Sequence, residues 1–147
     1  DIKSEELESV VKTGRTHLMD AMPVTLGQEI RAWQFQVDQG IERINDSMLR
    51  LTALAQAVES SPGDADLQTA YGWALFNAGQ VDAGQQTISM ARLLQPDNPR
   101  ALYYQGVIFQ QLDQPAAALD LWEQLLDHPA AQGFDVLARR AISRLDG

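Results

Sequence analysis

One apolar stripe runs without a proline through residues 24 to 59 and constrains the fold more than any other feature. Its members are three or four residues apart, which is the spacing of one face of an α-helix. Thr25 and Gln28 precede it with the spacing of a capping box. At about 1.5 Å per residue, the stripe predicts one helix of roughly 50 Å. Its members are Leu26, Ile30, Trp33, Val37, Ile41, Ile44, Met48, Leu51, Leu54 and Val58.

Two shorter features precede this helix. Ser4 has the position of an N-cap and is followed by Glu5, so residues 4 to 12 are predicted to form a short helix. Gly14 and Pro23 are typical breakers of regular structure, so residues 13 to 23 are predicted to form a loop.

From residue 62 onward the sequence repeats with a period of 34 residues. Gly72 recurs as Gly106, and Ile88 recurs as Trp122. Helices approach closely only where a side chain is nearly absent, and the large residues fill the space beside that contact. The pattern predicts two helical hairpins and a last helix, over residues 64–78 with 81–94, 99–112 with 115–126, and 134–145.

This pattern resembles the tetratricopeptide (TPR) repeat, with a glycine at Gly72 and a closing proline at Pro96. The stretch NPRALYYQGVIFQQLDQPAAALDLWEQLL is similar to TPR proteins of bacterial cytochrome c maturation. The implied fold class is all-α, in which a long N-terminal helix continues in register into a TPR-like array with a C-terminal capping helix.

The TPR resemblance also implies a binding surface. In such arrays the first helix of each repeat lines a groove that takes up extended peptides. Aromatic side chains there would hold apolar side chains of the peptide, and an amide or guanidinium would bond its backbone or terminus. The positions carried over are Thr69, Trp73, Phe76, Asn77, Arg100, Tyr103 and Gln110. Packing of some of these aromatic residues against neighbouring helices is the alternative.

The segment GRTHLMDAMPVTLGQE is similar to part of class II fumarases and the aspartase superfamily of lyases. The resemblance places an active-site histidine at His17 and its neighbour at Thr16. In that family the site is assembled from three subunits and also needs a separate flexible loop, which has no counterpart in this sequence. We therefore expect Thr16 and His17 to be inherited and inactive.

The two resemblances predict two overlapping parts, a lyase-derived segment over residues 1–56 and a TPR-like part over residues 50–147. The TPR-like part is expected to contain repeats over 64–97 and 98–131 and a capping helix over 133–146. Leu54 corresponds to Ile88 in the 34-residue register, so the end of the long helix is in phase with the second helix of a preceding repeat. One continuous structural unit is expected, in which a single helix belongs to both parts.

The composition limits the kinds of partner and cofactor that this chain is expected to bind. The net charge of −9 argues against nucleic acid, which attracts clustered lysine and arginine. No apolar run reaches the roughly 18 residues of a membrane span, so a soluble chain without a membrane partner is expected. We expect the chain to be cytoplasmic as expressed, although the proteins that its TPR part resembles include periplasmic ones. There are no cysteines and two distant histidines, so neither a metal nor another cofactor is predicted.

Self-association is a further prediction. Two-helix repeats of about 20–25 Å cannot cover a helix of roughly 50 Å, so part of the apolar stripe needs another partner. The predicted contact consists of Leu26, Ile30, Trp33, Val37 and Ile41.

Three functions stay open. The in-phase junction favours an engineered helical scaffold that joins native helical pieces and is not an enzyme. A peptide- or protein-binding TPR module is the first alternative, and a residual fumarase-like lyase is the second.

Overall fold

The computed structural model describes residues 2–16, 19–129, 131 and 133–145. These residues form seven helices and one two-stranded antiparallel hairpin, which confirms the all-α prediction apart from the hairpin. Their contacts divide the chain into a first unit, residues 1–49, and a second unit, residues 50–147. The elements are α1 (Ile2–Glu6), β1 (Val11–Thr16), β2 (Met19–Thr25), α2 (Leu26–Ser60), α3 (Ala65–Asn77), α4 (Val81–Leu94), α5 (Pro99–Gln111), α6 (Pro115–Leu126) and α7 (Phe134–Ile142).

The hairpin replaces the predicted loop, so the prediction for residues 13 to 23 is wrong. Strands β1 and β2 pair from Val11 opposite Thr25 to Thr16 opposite Met19. The register is irregular between Thr13 and Arg15, and a Cβ on Gly14 would lie 2.6 Å from the Met22 carbonyl oxygen. Gly14 therefore permits a close backbone approach inside the hairpin and does not end regular structure.

Helix α2 begins as the sequence predicts. The Thr25 N–H donates to Gln28 Oε1 at 3.0 Å, and the Gln28 N–H donates to Thr25 Oγ1 at 3.1 Å. These reciprocal bonds are a capping box. The helix continues for 35 residues to Ser60, which confirms the single long helix.

The helix predicted over residues 4 to 12 is shorter than expected. It ends at Glu6, and Ser4 lies inside it and is buried, so Ser4 is not its N-cap. Two carbonyl groups after α1 bond to the start of α2. The Leu7 carbonyl accepts the Gly27 N–H at 3.1 Å, and the Val10 carbonyl accepts the Leu26 N–H at 2.8 Å. The N–H groups in the first turn of a helix have no intrahelical partners, so these two bonds satisfy N–H groups of α2 that would otherwise be unpaired.

The second unit has the predicted repeat pattern. Pairs α3/α4 and α5/α6 are followed by α7, and the boundaries agree with the prediction within three residues. Glycines mark the close contacts: a Cβ on Gly72 would lie 2.7 Å from Ile88 Cγ1, and one on Gly106 would overlap the ring of Trp122. Trp122 is fully buried, and its Nε1 donates to the Tyr103 carbonyl at 3.3 Å.

Side chains at the helix starts specify where the repeats begin. Asp64 caps α3 by accepting the N–H groups of Asp66 and Leu67 at 2.9 and 3.0 Å. Asn98 caps α5 by accepting the Ala101 N–H at 3.0 Å, and its amide donates to Asp66 Oδ1 at 3.1 Å. The second contact ties the start of one repeat to the start of the next. None of the helices in the described part of the chain has the length and apolar character that a membrane crossing requires.

Candidate functional site

The inherited lyase positions lie at the end of β1. Thr16 is the last residue of that strand. The side chain of Thr16 and all of His17 lie outside the described residues, so their roles stay predictions. Among the residues that the structure does describe, no three histidine, cysteine or carboxylate side chains are grouped as a metal site would require.

The apolar stripe of α2 forms an exposed apolar surface in the first unit. Of the five residues predicted for self-association, Trp33, Val37 and Ile41 are exposed by 56%, 60% and 51%. Leu26 and Ile30, near the start of the helix, are partly covered. The exposed part continues through Ile44 and Met48, at 61% and 62%. We define the α2 stripe as Trp33, Val37, Ile41, Ile44 and Met48.

Two more exposed apolar residues of α2 lie away from this stripe. Phe35 is exposed by 66% and Leu49 by 70%. At about 100° per residue, Phe35 lies roughly 160° around the helix from the middle of the α2 stripe. It is therefore on the opposite face, and a contact through the stripe would leave it uncovered.

Two of the predicted groove residues in the second unit, Thr69 and Phe76, are buried. Thr69 is completely buried, and its hydroxyl donates to the Ala65 carbonyl at 2.7 Å. Phe76 is 8% exposed and belongs to a core cluster with Ile88, Ala101 and Ile108. Neither side chain is available to a ligand, because each is used in packing between helices.

The other predicted groove residues keep exposed surface. Asn77 is exposed, although its amide already donates to the Trp73 carbonyl at 2.9 Å. Arg100 is exposed, and it makes no ion pair with any residue in the described ranges. Tyr103 and Gln110 are partly exposed.

An aromatic row crosses the second unit from α3 through α5 to α7. Trp73 stacks on Tyr104 with ring centroids 4.5 Å apart and planes 13° from parallel. Tyr104 meets Phe134 edge-on at 6.2 Å, and Tyr103 lies 5.6 Å from Phe134. All four rings are partly exposed. Sequence reasoning missed Tyr104 and Phe134, although their places at the middle of α5 and the start of α7 could have indicated them.

Comparison with known proteins adds two findings on the first part of the chain. The family described as lyase matches residues 1–80. The class II fumarate hydratase of Corynebacterium efficiens is 58% identical over 53 residues, which cover 36% of this chain and 11% of that protein. The mitochondrial fumarate hydratase of Schizosaccharomyces pombe is 52% identical over 54 residues, 37% of this chain and 10% of that protein. The chain thus spans about a tenth of these relatives' length.

Solved structures resemble most of this chain in fold. YrrB, described as a TPR protein with an unusual peptide-binding site, matches with a TM-score of 0.56 and 21% identity over 68% of this chain and 52% of that one. PcrH, solved in complex with the chaperone-binding region of PopD, matches with a TM-score of 0.59 and 12% identity over 81% and 92%. At these identities the likeness concerns the fold, and that fold is the TPR-like helical repeat.

Proposed function

The chain belongs to the lyase family, and we propose that within that family it is a self-associating helical scaffold with no catalytic activity of its own. In this proposal a lyase helix has been joined to a TPR-like array by engineering, through α2, which belongs to both parts. The continuous α2 from Leu26 to Ser60 supports the joining, since a junction inside one helix needs no new loop.

The absence of activity is proposed from what a lyase site requires. Most of the rate of such enzymes comes from preorganised donors placed around the developing charge. This chain brings Thr16 and His17 but matches about a tenth of a fumarase, so most of those donors have no counterpart here.

The assay is fumarate hydration at high protein concentration, followed by loss of fumarate absorbance. We expect no turnover above background. Turnover that rises with protein concentration and disappears in His17→Ala would contradict the proposal, because it would show a working site built around that histidine.

Self-association is supported by the exposure of the α2 stripe. Its five side chains are large and more than half exposed. Covering them in a pair of copies would remove about 1,000 Å² of surface from water, which is about the area that a specific interface needs. Exposed apolar patches of this extent mark interaction surfaces.

Light scattering coupled to size exclusion tests this directly. We expect a dimer or larger species that becomes monomeric in Val37→Glu, because a charge would be buried in the contact. Phe35→Glu is the matched control, since Phe35 is equally exposed but lies on the opposite face. A monomer at every concentration, or equal loss in both variants, would contradict a contact through the stripe.

Peptide binding is the second candidate function, and the aromatic row favours it. Four partly exposed rings on α3, α5 and α7 could stack on apolar side chains. Arg100, which forms no ion pair with the described residues, lies one helical turn from Tyr103 and Tyr104. Titrating a panel of apolar and acidic peptides against tryptophan fluorescence tests it. Micromolar binding that is lost in Arg100→Ala, an exposed site whose change leaves the core intact, would support a peptide-binding module. Equal binding by this variant would contradict the role of Arg100.

A further inference from the structure

Helix α7 and the turn that follows it have two opposite faces of different chemistry. The packed face contacts the core formed by α5 and α6, and it consists of Phe134, Ala138, Ala141, Ile142 and Leu145. At about 100° per residue, the opposite face covers roughly 160° of the helix, and all of its residues are exposed. We define this α7 outer face as Val136, Leu137, Arg139, Arg140, Ser143 and Arg144.

Three arginines concentrate positive charge on the α7 outer face. Arg139, Arg140 and Arg144 are exposed, and none of them forms an ion pair with a residue in the described ranges. They are three of the eleven basic residues of a chain whose net charge is −9. Asp135, the acidic residue in the first turn of α7, is partly covered and lies between this face and the packed face. The α7 outer face is therefore a basic surface on an acidic protein.

Apolar side chains lie among these arginines. Val136 is exposed by 48% and Leu137 by 38%. Positive charge at the C-terminal end of a helix stabilises that helix, but this effect does not require exposed apolar neighbours. Arginine together with apolar residues is typical of surfaces that bind other proteins.

The place of α7 in the array indicates what kind of element fits this face. In the packed face, Ala138, Ile142 and Leu145 are separated by four and then three residues. Three buried residues of α5 that face the preceding hairpin have the same separations, and they are Ala101, Gln105 and Ile108. Helix α7 therefore packs on α6 as α5 packs on α4. It corresponds to the first helix of a repeat, and within the described residues it has no second helix beside it.

Ser143 lies where a second helix would approach. Gly106 follows Gln105 on α5, and there α6 comes so close that a Cβ would overlap the ring of Trp122. Ser143 follows Ile142 in the same way, and it is exposed. Its small side chain bends back, and its hydroxyl donates to the Arg140 carbonyl at 3.0 Å. The distance between two packed helices depends on the side chains at their contact, so a small residue here admits a close neighbour.

We propose that the α7 outer face binds an acidic amphipathic helix of a partner protein, which packs along α7 as the second helix of a third hairpin. Carboxylates of that helix pair with Arg139, Arg140 and Arg144, and its apolar residues cover the apolar part of the face. The inference goes beyond the functions proposed above. It uses the face of α7 opposite to Phe134, and it does not depend on the α2 stripe.

Other negatively charged partners fit this face less well. An anionic membrane is bound by a helix whose apolar face enters the lipid, and the apolar face of α7 is already packed against α5 and α6. Nucleic acid is repelled by the net charge of −9. A protein helix that carries its own carboxylates beside apolar residues matches both parts of the α7 outer face.

Fluorescence anisotropy with a labelled synthetic helix tests the proposal on the intact chain. The acidic probe has leucines three and four residues apart flanked by glutamates, and the control probe has lysines in place of the glutamates. We expect the acidic probe to bind with an affinity that falls as salt is added, and the basic probe to bind at least about tenfold more weakly. Absence of binding by the acidic probe, or equal binding of both probes, would overturn the proposal.

Arg140→Glu and Arg43→Glu separate the α7 outer face from the charge of the whole chain. Both arginines are exposed, neither forms an ion pair with a described residue, and both changes alter the net charge equally. We expect Arg140→Glu to weaken binding of the acidic probe at least about fivefold, and Arg43→Glu to leave it unchanged. Equal affinities of the two variants would overturn the assignment to α7. If urea unfolding shows that Arg140→Glu loosens α7, Arg140→Gln replaces it, with an expected loss of at least about twofold.

Ser143→Leu tests the close approach of a helix. We expect it to weaken binding of the acidic probe at least about fivefold, because leucine occupies the space where the partner helix passes. Ala116→Leu is the control, an equally exposed position on α6 whose change should leave binding unchanged. Unchanged or tighter binding by Ser143→Leu would overturn the packing of the partner as a second helix.

Vesicles of phosphatidylserine and phosphatidylcholine distinguish a membrane from a protein partner. We expect no binding to them at the salt concentration at which the acidic probe binds. Vesicle binding that is lost in Arg140→Glu would overturn the proposal and assign the α7 outer face to an anionic lipid surface.

Discussion

The contact between α5 and α6 permits a quantitative prediction for Gly106→Ala. A Cβ at this position would overlap the indole of Trp122, with Cε2 at 2.7 Å and Cδ1 at 2.9 Å. The indole cannot move outward freely, because Trp122 is fully buried and its Nε1 donates to the Tyr103 carbonyl. The new methyl group must therefore displace a packed ring or separate the two helices.

The magnitude follows from two opposing effects. Overfilling a packed core destabilises a protein by about 1–3 kcal/mol, and a weakened buried hydrogen bond adds about 1 kcal/mol. Replacing glycine by alanine inside a helix contributes about 1 kcal/mol in the opposite direction. The net expectation is a loss of about 1–3 kcal/mol in the free energy of unfolding, or about 4–8 °C in Tm for each kcal/mol lost.

Urea unfolding followed by tryptophan fluorescence measures this loss. Gly63→Ala is the control, because a Cβ there meets nothing within 4 Å and its φ is not among the positive ones. We expect that variant to be unchanged or up to about 1 kcal/mol more stable. If Gly106→Ala is as stable as the parent chain, the reasoning that glycine is required for close helix approach is refuted.

The remaining predictions concern polar contacts. Asn98→Ala should lower the free energy of unfolding by about 1–2 kcal/mol, because the cap of α5 is buried and bonded to Asp66. Asp64→Ala should lower it by about 1 kcal/mol or less, because the cap of α3 is exposed. Urea unfolding compares the two variants, and equal losses would contradict this ranking. Lys12→Ala should cost less than about 1 kcal/mol, since its 2.6 Å ion pair with Glu29 is partly exposed; a larger loss that persists in high salt would contradict this.

Local signals were sufficient for helices α2 to α7. The spacing of apolar residues and the absence of proline predicted α2, and the Thr25–Gln28 capping box has the predicted bonds. The 34-residue period predicted α3 to α7, because each glycine and its bulky partner recur at fixed distances along the chain. Such features depend on neighbours within a few turns, which a sequence displays directly.

The hairpin and the interaction surfaces could not be predicted in the same way. Gly14 and Pro23 are equally compatible with a loop and with a strand irregularity, and pairing between β1 and β2 decides between them. Thr69 and Phe76 have the spacing of groove residues, but the packing of α3 against its neighbours buries them. Spacing specifies the face of a helix, and burial depends on which other helix meets that face.

The sequence alone therefore determined, within three residues, where helices α2 to α7 begin and end, because capping, periodicity and proline placement act locally along the chain. The tertiary structure decided which apolar side chains are used in packing and which stay exposed. The α2 stripe and the α3 core positions have similar patterns in sequence, yet Ile41 is 51% exposed and Phe76 is 8% exposed. The physical reason is that the hydrophobic effect depends on the surface removed from water, and that surface is defined by contacts between residues far apart in the chain.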